Sequence, residues 1–233
     1  MQSPFSNLSP VVKNLLIINI ICFVPSVLFN ENMNNWIVIH FAAFYFDSPF
    51  FKPWQIITYM FLHAGWEHIF FNMFALFSFG PIVEYSIGSK RFFNLYFICG
   101  VGAILIQLFV QGIQVYHLVG HFTLPESLQL NDIGVISKIK EIYSTPTLGA
   151  SGAIFGILIA FGMLYPNMEL MIMFIPVPIK AKYIIPVYIL IELTLGVGRF
   201  GGDNVAHFAH LGGALIAFIL IKIWGLGKTN SFR

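Results

Sequence analysis

One serine set among glycines and two groups of histidines carry whatever chemistry this chain performs. The run Gly149-Ala150-Ser151-Gly152-Ala153-Ile154-Phe155-Gly156 opens one apolar stretch, and Ala206-His207-Phe208-Ala209-His210-Leu211-Gly212-Gly213 opens another. A serine hydroxyl becomes a nucleophile when an imidazole within hydrogen-bond reach takes its proton. His210 and His207 both qualify as that base, because three residues on a helix is about one turn. On a first helical turn Ser151 also meets free N–H groups and the positive end of the helix dipole, which favour developing negative charge. His68 and Asn72, four residues apart, point the same way from one helix. Together with the Ser151 amide they can hydrogen-bond an oxyanion.

Each group also has a plainer reading. Gly152 and Gly156 can form a small-residue packing seam in which the serine is incidental, matched by Ala206, Ala209, Gly213 and Ala217 on the later stretch. The histidines can make interhelical hydrogen bonds, and His68 and Asn72 can bond each other or a carbonyl. His63 reads as interfacial. A metal centre is not expected: Glu67-His68 reverses the His-Glu-x-x-His order and lacks the second histidine. No cysteine or carboxylate convergence supports zinc. Cys22 and Cys99 lie in apolar runs and read as small buried hydrophobes. No cofactor is implied.

The elements that must position these residues are membrane helices. Of 233 residues 58% are hydrophobic and 9% charged, with a mean hydropathy of +0.81, against about 25% charged in soluble domains. The net charge of +2, with no basic run, gives no reason to expect nucleic acid. Six apolar stretches, about 12–29, 57–82, 92–113, 147–165, 182–199 and 205–224, approach the roughly 20 residues a span requires. Continuous runs mean helices, because backbone groups in lipid must be satisfied within the segment. The fold class is therefore all-α, a polytopic six-helix bundle forming one domain over residues 1–233. The run from Leu15 to Phe29 is followed by Asn30 and Glu31 instead of a small-x-small site, so it reads as a retained first span. Eight Lys and Arg fall on the side of the termini and four on the other, which places both termini in the cytoplasm. The connections near 30–56 and 114–146 then lie outside. The first is aromatic and suits the interface, and the second places Val135, Ile136, Ile139 and Ile142 on one face of a short helix.

Together the three clusters resemble the rhomboid family of intramembrane serine proteases. The matching motifs are Gly149-Ala150-Ser151-Gly152, Ala209-His210-Leu211-Gly212-Gly213 and His68-Ile69-Phe70-Phe71-Asn72, in the family's order. Trp54-Gln55-Ile56-Ile57-Thr58 resembles the family's Trp-Arg-x-x-Thr segment, with Gln55 in place of arginine, and Glu84 with Gly88-Ser89 extends the likeness over about 50–220. The resemblance implies a water-filled cavity open to the outer face, Ser151 as nucleophile and His210, rather than His207, as base. It implies an oxyanion hole of His68, Asn72 and the Ser151 amide, and Phe155 packed on the histidine ring. It implies no carboxylate in the dyad, so Glu192 reads as structural and Asp203 as a loop residue. The fifth span, with Pro186 inside and Gly196, Gly198, Gly201 and Gly202 near its end, is the implied gate. The expected substrates are transmembrane segments of membrane proteins, and the short chain suits a bacterial plasma membrane. Two other classes stay open: a non-catalytic relative that binds transmembrane helices, and a transporter lined by the same polar residues.

Overall fold

The computed structural model describes residues 8–125, 131–172, 175–198 and 206–226. Helix α1 runs Pro10–Leu28 and α2 runs Glu31–Phe41. A short helix α3, Gln55–Thr58, continues into a 3-10 turn, Tyr59–Phe61, before α4, Trp66–Ile87. Then follow α5, Ser89–Val119; α6, Ile133–Ser144; α7, Ser151–Leu164; a hairpin of β1, Glu169–Ile172, and β2, Ile175–Lys180; α8, Ala181–Gly198; and α9, His207–Ile223. Arg199, Gly201, Gly202 and Asp203 lie outside the described residues.

Among the described residues four helices, α1, α4, α5 and α8, are long and apolar enough to cross a membrane by length and composition. Shorter apolar helices α7 and α9 complete the bundle. This is an all-α integral membrane protein. The antiparallel hairpin, pairing Glu169 with Lys180, is a small addition that hydropathy alone did not foresee.

Several boundaries differ from the apolar runs, each for a local reason. The second span begins at Trp66, not near 57, because residues 55–61 form their own turn and Gly65 interrupts the helix with extended backbone (φ 175°). Helix α5 runs on to Val119, where Gly120 adopts the left-handed conformation that ends helices (φ 78°). Its 31 residues make a helix of about 46 Å, longer than the roughly 30 Å hydrocarbon core. The far end meets the outer connections instead: Val115 packs with Tyr45, Ile139 and Tyr143. The short helix expected in the 114–146 connection around Val135, Ile136, Ile139 and Ile142 is α6, capped by Asp132 through the Gly134 and Val135 amides.

Helix α7 begins only at Ser151. Thr147 is held in a two-way bridge with Ala43 (2.9 and 2.7 Å), and Gly149 has φ 125°, so the preceding chain is not helical. Its 14 residues give about 21 Å, too short to span alone. It packs against α4, α5, α8 and α9, and its first residue is half-buried.

Polar side chains fasten this frame. Glu84 accepts from the Val11 and Val12 amides at the start of α1 and from Ser89 Oγ at the α4–α5 turn. Gln55 is fully buried: its amide donates to the Ile39 and Phe50 carbonyls and its oxygen accepts from the Lys52 amide. Trp54 Nε1 donates to the His40 carbonyl and Thr58 Oγ1 to the Phe41 carbonyl. The Trp54–Thr58 motif is thus the anchor of the first outer connection, and glutamine serves that role here.

Candidate active site

The starts of α4, α7 and α9 meet at one end of the bundle, joined by the outer half of α8. Helices α7 and α9 approach so closely that a Cβ on Gly213 would lie 1.9 Å from the Gly152 carbonyl oxygen. A Cβ on Gly156 would lie 2.6 Å from Cys99 Sγ on α5 and 3.4 Å from the Gly213 carbonyl. The small-residue seams read from the two motifs therefore face each other.

That approach brings Ser151 Oγ to 2.8 Å from His210 Nε2, a hydrogen bond. The His210 ring stacks on Phe155 with centroids 4.4 Å apart and 9° between planes. The ring is thereby held on one face by the side chain one turn after the serine.

On α4, His68 Nδ1 accepts from the Ala64 amide at 3.3 Å. A neutral imidazole then carries its proton on Nε2. That nitrogen lies against Gly149: a Cβ there would be 2.7 Å from it. Gly149 is thus required twice, for its positive φ and for the space the His68 ring occupies. Asn72 Nδ2 is buried and has no hydrogen-bond partner among the described residues. A buried amide donor without a partner costs about 1–3 kcal/mol, and this one is available to an incoming acceptor. Ser151 is the first residue of α7 and no side chain caps that end. His63 packs edge-on against His68, centroids 5.0 Å apart, and is buried just before α4 begins. Burial, reinforced by the neighbouring His68, pushes its pKa down to about 3.

Glu192 was not counted in the site from the sequence. It is buried on α8, and Oε2 sits 2.9 Å from His210 Nδ1 and 2.7 Å from His207 Nδ1. The sequence signal was present: an acidic residue inside an apolar span needs a partner. Spacing could not say that the partners are two histidines on the next helix.

These three residues place ligand atoms within 4.8 Å of one another, close enough to hold a metal ion. Such an ion would take the His210 Nδ1 lone pair and leave the proton on Nε2. Nε2 could then donate to Ser151 Oγ but not accept from it, so metal binding and a base role for His210 exclude each other.

A family model described as the Rhomboid domain matches residues 51–226. The chain belongs to the rhomboid family. It is 29% identical over 226 residues to the mitochondrial RHOMBOID-like protein 12 of Arabidopsis thaliana, covering 96% of this chain and 60% of that one. It is 30% identical to the rhomboid protease GluP of Bacillus subtilis, over 77% of this chain and 27% of GluP. It is also 30% identical to the rhomboid protease AarA of Providencia stuartii, over 72% and 54% of the two chains. The chain therefore spans between about a quarter and three fifths of these rhomboid relatives.

Proposed function

We propose that this chain is an intramembrane serine endopeptidase that cleaves transmembrane segments of membrane proteins by a Ser151–His210 dyad. The observation that carries the reading is the 2.8 Å contact between Ser151 Oγ and His210 Nε2. The protease names of GluP and AarA agree with it.

In this mechanism His210 Nε2 takes the Ser151 proton as Oγ attacks the scissile carbonyl carbon. The carbonyl oxygen becomes an oxyanion held by His68 Nε2–H, Asn72 Nδ2–H and the Ser151 amide. The C–N bond breaks as His210 returns its proton to the leaving nitrogen. A water then gives a proton to His210 and attacks the acyl-enzyme, and Ser151 is regenerated with its proton. Phe155 keeps the imidazole in plane, and Gly149 and Gly152 let the neighbouring groups close in. Because Ser151 is half-buried at the first turn of α7, water and an unwound substrate segment reach the serine from the end where α4, α7 and α9 begin. By the distribution of Lys and Arg this end faces away from the cytoplasm, with both termini inside. The bacterial plasma membrane is the compartment proposed, on the likeness to GluP and AarA.

Purified wild type, Ser151→Ala and His210→Ala are compared on a reporter with one transmembrane segment, alongside fluorophosphonate labelling. Loss of both cleavage and labelling in each variant is expected. Full cleavage by Ser151→Ala sinks the proposal, and a folded wild type that neither cleaves nor labels points to a helix-binding relative instead.

A further inference from the structure

We infer that Glu192 is a positioning residue that completes a Ser151–His210–Glu192 triad, and that His207 is the second donor holding its carboxylate in place. The inference rests on the dyad reading above and deepens it.

An acidic side chain in the apolar run of α8 is costly unless its oxygens are satisfied. Glu192 is 5% exposed, and one oxygen, Oε2, faces the Nδ1 atoms of both His210 and His207. A protonated carboxyl has a single hydrogen and could serve at most one of them as donor, whereas an ionised carboxylate accepts from both. In the proposed triad the carboxylate is ionised, and both imidazoles carry hydrogen on Nδ1 and donate it to Oε2.

For His210 this decides the tautomer. With hydrogen on Nδ1, the Nε2 lone pair is free to accept from Ser151 Oγ–H, which lies 2.8 Å away. The other tautomer would aim a hydrogen at the serine and could not act as base. When His210 takes the serine proton it becomes an imidazolium, and the adjacent carboxylate stabilises that charge in a poorly solvated site. His207 reaches the same oxygen from one turn earlier, and so competes for the carboxylate rather than for the serine.

The same helix also backs the aromatic ring on which His210 stacks. Tyr188, four residues before Glu192 on α8, packs on Phe155 at 5.1 Å, and Phe155 stacks on His210. Helix α8 buries only Ala181, Glu192 and Gly196. The two hydrogen bonds of Glu192 are thus a main attachment of α8 to α9. A displacement of α8 removes the carboxylate from His210, so the orientation of the base depends on where α8 sits.

The test measures kcat and KM on the membrane reporter for wild type, Glu192→Gln, Glu192→Asp, His207→Ala and Ser151→Ala, with thermal unfolding of each. Glu192→Gln is expected to lower kcat by about 10²–10⁴-fold, the scale of losing a triad carboxylate, with KM changed less than about threefold. Glu192→Asp should recover part of that loss, and His207→Ala should cost less than Glu192→Gln. Wild type should show a far-downfield imidazole N–H proton resonance that disappears in Glu192→Gln. Glu192→Gln retaining half of wild-type kcat while Ser151→Ala is inactive overturns the triad and leaves the dyad standing. Activity in Ser151→Ala overturns the dyad itself. If Glu192→Gln unseats α8 and its melting temperature falls, the downfield proton in wild type decides: its absence overturns the triad, and its presence with partial rescue by aspartate supports it.

Discussion

The α7–α9 seam and the α8 helix contribute to the same site by opposite means. Helix α7 buries Gly152 through Ile157 continuously, and α9 buries Ala209, His210 and the run Gly212 to Ala214. Helix α8 presents Tyr183, Val187, Leu190, Ile191 and Val197 outward and buries little beyond Glu192 and Gly196. In lipid, helices gain little by hiding apolar surface from one another, so close packing and polar contacts hold them. The seam uses the first of these and α8 relies on the second. One side of the site is therefore rigid by backbone contact, and the other is attached through a carboxylate.

The largest expected effect comes from breaking the seam. Gly213→Val forces carbon into the Gly152 carbonyl and should cost about 3 kcal/mol or more, read as loss of the folded protein in thermal unfolding. Next, Asn72→Ala leaves the seam intact and removes one proposed oxyanion donor. It should lower kcat by about 10²–10³-fold with little change in melting temperature. A smaller effect is expected of His63, whose folded pKa of about 3 lies below the ordinary value of about 6.5. Below 6.5 the unfolded chain takes up the proton first, so this residue withdraws stability as pH falls from about 6.5 toward 3. His63→Phe should flatten that part of the stability–pH curve. Smallest is Leu190→Ala on the outward face of α8, expected to shift stability by less than about 0.5 kcal/mol. If Leu190→Ala proved as damaging as Gly213→Val, α8 would be a packed helix and the contrast would fall.

Much of the fold was legible because lipid imposes length and continuity on helices. Charged and glycine-bearing breaks bounded most of the major apolar helices to within several residues, the start of α4 excepted. The outer connections were less so: nothing in the pattern around 57–65 shows that Gly65 separates a turn from α4. The hairpin at 169–180 also escaped notice, because its short apolar run reads like a helix flank. Of the site, Ser151, His210, His68 and Asn72 were singled out by residue type and spacing, and Phe155 by the family resemblance. The choice between His210 and His207 was not physical at that level, since one helical turn separates them. Geometry distinguishes them: His210 touches both Ser151 and Glu192, while His207 touches Glu192.

What the amino-acid sequence determined by itself was the solvent, the helices and the list of groups able to do chemistry, because composition and periodicity are local properties. Only the tertiary structure decided which groups share a proton. A hydrogen bond of 2.8 Å between residues 59 apart in sequence depends on how closely Gly152 and Gly213 let two helices approach. The position of Glu192 depends on a third helix, α8, packed against that pair.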